Sequence, residues 1–248
     1  MLSDAQLDRY ARHLILKELG GAGQARLLAA RVAVVGAGGI GSPALQYLAA
    51  AGVGQLTLID DDRVELSNLQ RQTLFGTDQI GTPKVDAAAT AIAALNPDVR
   101  VAPRAERITA ANARTLLAGH DVVLDGTDNF ATRLIVADAA LGLHIPLVSA
   151  AVAQFEGQLG VFRGWEAAKP CYRCLVGSDP DRAGASCADE GVIGAVTGVL
   201  GSLAALEVCR AIMPFGADVA GRLLIVDALD FRFRTIDLPK DPGCPACA

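Results

Sequence analysis

Aromatic residues are scarce in this chain. Phe, Tyr and Trp make up 4% of its 248 residues, whereas hydrophobic residues make up 52%. A sizeable core is therefore available, but Ala, Val, Leu and Ile must fill it, as in layered α/β folds. An excess of positive charge is also missing: 22 Lys and Arg stand against 27 Asp and Glu, for a net charge of −5. That balance argues against nonspecific nucleic-acid binding, which depends on basic surface. The first eight residues, Met1-Leu-Ser-Asp-Ala-Gln-Leu-Asp8, are polar and acidic and lack the basic start and apolar stretch of a secretory leader. A cytoplasmic protein is expected, and structural disulfides are rare there. No repeat, low-complexity segment or clear linker is visible, so 1–248 is expected to be one domain. A membrane span is not expected either. The uncharged run Gly191–Leu206 is slightly short for one, is closed by Glu207 and Arg210, and reads better as a buried helix or a subunit interface.

What is present begins with an apolar strand, Arg31-Val-Ala-Val-Val35, running into Gly36-Ala-Gly-Gly-Ile-Gly41. A helix-forming stretch opened by Ser42 or Pro43 follows, then the apolar run Leu56-Thr-Leu-Ile59 and Asp60. This is the pattern of a nucleotide-binding strand–helix–strand unit. Gly36 allows the tight turn, Gly38 lets phosphate approach the backbone (Gly39 lies in the same turn), and Gly41 lets helix and strand pack closely. The helix N-terminus offers amides to an anion. Asp60 falls about 20 residues past the glycines, where a carboxylate accepts from a ribose hydroxyl.

The strands expected beyond this unit lie near 99–102, 121–125, 146–149, 158–163, 223–227 and 231–236, the last two antiparallel. Helices are expected over 84–95, 109–118, 130–142 and 191–212. Residues 3–30 read as two helical pieces split near Gly20-Gly-Ala-Gly23, with Leu7, Tyr10, Leu14 and Leu19 on one apolar face. Alternation of strand and helix up to residue 150 predicts a mostly parallel, Rossmann-like sheet with helices on both faces. The domain then divides into a helical arm (1–30), a nucleotide-binding core (31–150) and an extension (151–248).

Residues 61–83 are polar, irregular and too long for a routine connection, and such loops are often functional. They supply Asn68, Gln70 and Arg71, and Lys84 opens the next helix. Positive groups at the phosphate end suit a triphosphate better than a dinucleotide, so ATP is the expected nucleotide. Asp128, in Gly126-Thr-Asp-Asn129 at the carboxyl edge of the fourth strand, is placed to hold Mg²⁺ directly or through water. An NAD-dependent oxidoreductase would share the glycine unit but needs an acid/base residue. None of the three histidines, His13, His120 and His144, is obviously placed for that.

Six cysteines are present, four of them in two C-x-x-C pairs, Cys171/Cys174 and Cys244/Cys247. Each pair can supply two thiolates to a tetrahedral Zn²⁺, which would pin the chain end to the loop at 171. A redox motif should open a helix after a strand, and the tail pair is too near the terminus for that. Cys209, in the apolar helix, reads as buried packing. Cys187, in the polar loop before that helix, reads equally as a nucleophile or a bystander.

Taken together, Arg9-Tyr-Ala-Arg-His13, Gly36–Gly41, Ser67-Asn-Leu-Gln-Arg-Gln72, Lys84, Asp125-Gly-Thr-Asp-Asn129 and the C-x-x-C pairs resemble the MoeB/ThiF adenylyltransferases over essentially the whole chain. These are bacterial relatives of the ubiquitin-activating enzymes. The resemblance implies that the C-terminal Gly-Gly carboxylate of a small β-grasp sulfur-carrier protein attacks the α-phosphate of ATP, giving an acyl-adenylate and pyrophosphate. It implies phosphate contacts from Arg71 and Lys84, a ribose contact from Asp60 and Mg²⁺ at Asp128, with Asn129 in the same nucleotide-binding motif. Asn68 would orient phosphate or the attacking carboxylate. Arg12 would reach in from the partner subunit of a homodimer. The extension 151–248 would bind the carrier. Cys187 matches a loop cysteine that forms a persulfide or acyl-disulfide in some members and is dispensable in others. Glu190 departs from the family's usual small residue, and a nearby carboxylate disfavours a thiolate. The rhodanese-like domain of longer relatives is absent, so a separate sulfur donor, such as a cysteine desulfurase or rhodanese, is expected. The molybdenum-cofactor branch is favoured slightly over the thiamin branch. A noncatalytic binding protein would be expected to have lost Arg12, Arg71, Lys84 or Asp128, and all four are present.

Overall fold

The central strands of this chain alternate between two apolar faces. In β1 (Arg31–Val35), Val32 and Val34 point to one core cluster and Ala33 and Val35 to another. Period-two alternation of apolar residues on both faces is what a sheet covered by helices on both sides requires. The computed structural model describes residues 2–177 and 191–248. It contains an eight-stranded mixed sheet built from β1, β2 (Gln55–Ile59), β3 (Arg100–Arg104), β4 (Val122–Asp125), β5 (Leu147–Ala153), β6 (Glu156–Phe162), β7 (Arg222–Asp227) and β8 (Arg232–Asp237). Their order is β3-β2-β1-β4-β5-β6-β7-β8. The first five are parallel and the last three add antiparallel. The expected α/β architecture with an antiparallel extension is therefore observed. Pro103 sits in β3, an edge strand, where a missing N–H is tolerated.

Helices α4 (Gly41–Ala50) and α5 (Lys84–Leu95) cover one face of the sheet with a long helix, α9 (Gly194–Ile212). Helices α6 (Ala113–Leu117) and α7 (Phe130–Leu143) cover the other. Leu45, Leu48 and Ile92 are fully buried, each such side chain contributing about 1.5–3 kcal/mol. α9 is long and apolar enough to cross a membrane by length and composition. Here Leu200, Ala204, Ala205 and Val208 are buried against the sheet and α4, so it is a core helix. Of its glycines, Gly201 abuts the Ile40 carbonyl and Gly194 the Gln70 carbonyl, while Gly198 meets nothing close.

Two local expectations are corrected. Gly20–Gly23 does not split the arm; it opens α3 (Gly20–Ala29), and the break lies at 15–19, after α1 (Asp4–Arg9) and α2 (Ala11–Leu14). Of the expected apolar face, Tyr10 is buried, its hydroxyl accepting from Asn96 Nδ2 at 2.9 Å, but Leu7 is exposed. The helix expected over 109–118 shortens to α6. Asn112 accepts from the Thr109 amide (2.7 Å) and hydroxyl (3.1 Å), a local turn that competes with helix.

Candidate active site

Because β1 leads outward to β2 and β3 while β4 leads the other way, the connections part between β1 and β4. Ligands bind at such a switch point, outside the carboxyl ends of the strands. A cleft opens there, lined by Gly36, Gly38, Gly39, Asp60, Asn68, Arg71, Lys84, Asp128 and Asn129. Its floor is the glycine turn. Gly36 has φ +87°, and a Cβ on Gly41 would lie 2.0 Å from the Gly36 carbonyl oxygen, so the start of α4 touches the turn directly. Gly41 does not line the cleft; it permits that contact.

The charged groups are held by the chain itself. Asp60 Oδ2 accepts from the Ala37 amide at 2.8 Å and Oδ1 from the Asp62 amide at 2.8 Å. Burial pushes the Asp60 carboxyl above its usual range, against the pull of Lys84 and of those two amides. Lys84 sits in the first turn of α5, buried, with Nζ 2.7 Å from Asp62 Oδ2. Arg71 donates to the Ser67 carbonyl (3.1 Å) and to Asn68 Oδ1 (3.0 Å). Asn68 thus orients Arg71, a role the sequence did not reveal. Asn129 caps α7, its Oδ1 accepting from the Thr132 amide at 2.9 Å, and exposed Asp128 precedes it. Arg12 is exposed on the arm and does not line this cleft. Cys187 and Glu190 lie outside the described residues.

At the other end of the extension the two C-x-x-C pairs meet. Sγ separations are 3.8 Å for Cys171–Cys174, 3.6 Å for Cys171–Cys244 and 3.5 Å for Cys174–Cys247. A tetrahedron with Zn–S of about 2.3 Å requires sulfurs about 3.8 Å apart, so the four thiols fit zinc. The Asp241 amide points at Cys174 Sγ (3.5 Å), a backbone donor suited to a thiolate. Cys209 is buried, and its thiol is pushed up to about 12 by burial and by Glu207.

The ThiF family pattern matches residues 10–246. The chain belongs to the ThiF family. It is 46% identical to the "SAMP-activating enzyme E1" of Haloferax volcanii over 99% of this chain and 90% of that protein. It is 46% identical to the "Sulfur carrier protein adenylyltransferase" of Thermus thermophilus over 98% of this chain and 91% of that one. It is 42% identical to the "Molybdopterin-synthase adenylyltransferase" of Escherichia coli over 99% of this chain and 98% of that one.

This ThiF-family chain also places residues in the cleft that the sequence did not single out. Gln72 is 3% exposed and lines the cleft near Gly38, and its Oε1 has no hydrogen-bond partner among the described residues. A buried orphan acceptor calls for a ligand donor or a water. Its only sequence signal is its place at the end of Ser67–Gln72. Asp125 and Arg133 form a buried pair beneath the rim, 3.7 Å apart. The histidines do structural work. His13 meets Gln24, His120 bridges Leu117 and Thr57, and His144 closes α7 in the left-handed region.

Proposed function

We propose that this adenylyltransferase activates the C-terminal Gly-Gly carboxylate of a β-grasp sulfur-carrier protein with ATP, releasing pyrophosphate. One observation carries the reading: Arg71, Lys84 and Asp128 converge on a glycine-floored cleft at the sheet's switch point. A carboxylate is a poor acyl electrophile and an anion, so its attack on a triphosphate needs cations that bind more tightly as charge moves onto the leaving pyrophosphate. Arg71 and Lys84 take that role. Asp60 takes the ribose, Gly36, Gly38 and Gly39 the phosphates, and Gln72 Oε1 accepts a donor from the nucleotide. Asp128 would hold Mg²⁺, which would supply neutralisation of phosphate charge. A second recess shares Asp128, Arg133 and Val152 with the cleft and runs along β5, β6 and β7 past Glu156 and Ile225. It supports entry of an extended tail along the extension. The arm's Arg12, exposed and away from its own cleft, completes the site of a partner subunit in a homodimer.

The molybdopterin carrier is the favoured substrate, supported by the Escherichia coli relative, which this chain matches over 98% of its length. The test is carrier-dependent ATP–pyrophosphate exchange, with the molybdopterin and thiazole carriers offered separately. Exchange with the first is expected, exchange only with the second would reassign the pathway, and exchange with neither would overturn the reading. Mixing inactive Arg12→Ala and Arg71→Ala proteins tests the shared site. Mixed dimers contain one intact site, so activity should return; no recovery would remove Arg12 from the partner's site.

A further inference from the structure

Helices α1 and α2 of the arm have six and four residues, and neither buries a side chain. Isolated helices shorter than about 12 residues are marginal in water, so contacts outside them must fix their place. The similarly short α8 (Tyr172–Val176), in the knuckle of Cys171 and Cys174, is tied to α7 by two 2.7 Å bonds from Arg173 to Asp138. Among the described residues no ion pair serves the arm in that way.

Two fully buried amides hold the arm instead, one on each side of Arg12. Asn96, at the end of α5, donates through Nδ2 to the Tyr10 hydroxyl at 2.9 Å and to the Ala49 carbonyl at 2.8 Å. Gln24, on α3, donates through Nε2 to the Ala51 carbonyl at 2.9 Å. Its Oε1 is thereby turned to accept from His13 Nδ1, also at 2.9 Å. Tyr10 and His13 stack with ring centroids 6.4 Å apart. Gly52 leaves room for them: its φ is +81°, and a Cβ there would lie 2.4 Å from the Tyr10 hydroxyl oxygen. Ala49 lies in the last turn of α4 and Ala51 caps it. Both clips therefore end on the helix that starts at the glycine turn, while Arg12 between them stays exposed.

We infer that Gln24 and Asn96 are positioning residues that fix Arg12 by clipping its neighbours Tyr10 and His13 to the end of α4. The physical reason is preorganisation. A long side chain on a marginal helix would sample many places, and misplacement of a reacting-site group by about 1 Å costs up to about 100-fold in rate. The clips remove that freedom before the arm meets another subunit. The inference rests on the reading of Arg12 as the residue that completes a partner's site.

The test places one substitution in two ways. Mixed dimers of Arg12→Ala and Arg71→Ala chains contain one working site, made of the cleft of the first chain and the arm of the second. Gln24→Met, which keeps the side-chain length and removes the amide, is added to either chain. In the Arg71→Ala chain it loosens the working arm; in the Arg12→Ala chain it loosens an arm with no arginine to place. Carrier-dependent ATP–pyrophosphate exchange should be about tenfold lower in the first arrangement than in the second. Tyr10→Phe, which removes one hydroxyl and leaves Asn96 its bond to Ala49, should give the same asymmetry. Equal activity in the two arrangements would overturn the inference and leave Arg12 in the partner's site. No recovery in the parent mixture would overturn that reading and the inference together. Hydrogen exchange over 8–16 gives a readout that needs no carrier. It should rise about tenfold in Gln24→Met with 31–41 unchanged, and wild-type exchange there would also overturn the inference.

Discussion

Lys84 and Asp62 form a pair of opposite exposure: the lysine side chain is 5% exposed, the aspartate side chain 61%, and they lie 2.7 Å apart. A buried ammonium needs a counter-charge, and here that charge comes from a residue that solvent already reaches. An arriving phosphate can replace Asp62 without leaving a buried carboxylate behind. The pair therefore keeps Lys84 aimed into the cleft before substrate binds.

Lys84→Ala and Arg71→Ala should each lower ATP–pyrophosphate exchange by about 100-fold or more, because each removes a cation that acts on the developing pyrophosphate. The circular-dichroism spectrum should stay that of the wild type. Exchange surviving either change would show that the phosphates sit elsewhere.

Gln72→Leu should weaken ATP binding about tenfold, since Gln72 Oε1 is a buried acceptor without a partner among the described residues. Direct titration with ATP checks this. Unchanged affinity would mean that water, rather than nucleotide, satisfies that oxygen.

Metal content provides the third check. The protein should carry about one zinc per chain, and Cys244→Ser should release it and expose the last residues to protease. Full zinc occupancy in that variant would refute a four-thiolate site.

Acid stability tests the fold through His120. Its Nδ1 donates to the Leu117 carbonyl and its Nε2 accepts from the Thr57 hydroxyl, and burial lowers its pKa below the ordinary 6.5. As pH falls below 6.5, the unfolded chain takes up a proton that the folded one refuses. The stability present above that value is thus lost as pH drops toward the folded value. Melting temperature should decline between about pH 7 and pH 5.5, and less so in His120→Gln. Equal slopes in both proteins would assign the decline to other groups.

Local signals proved reliable where neighbouring residues decide the outcome. The unit from Arg31 to Ile59 needs only apolar alternation, glycines and a helix start, and the helix from Lys84 to Leu95 runs as its composition indicates. Errors arose where a side chain redirected the backbone, as Asn112 does ahead of α6. Other errors arose where distant packing selected among apolar residues, as Asn96 and Gly52 do in seating Tyr10 rather than Leu7.

By itself the sequence determined the fold class, the nucleotide turn, the two thiolate pairs and nine of the residues that line the cleft. Each is encoded in short spacings that backbone geometry reads directly. Only the tertiary structure decided how those residues are held. The Asn68–Arg71 brace, the Lys84–Asp62 exchange pair, the orphan oxygen of Gln72 and the contacts of Arg133 with Thr127 and β5 involve side chains whose meeting depends on sheet order and burial. Strand β4 lies beside β5, and the knuckle at 171–176 packs on the helix between them, a juxtaposition that no local pattern specifies.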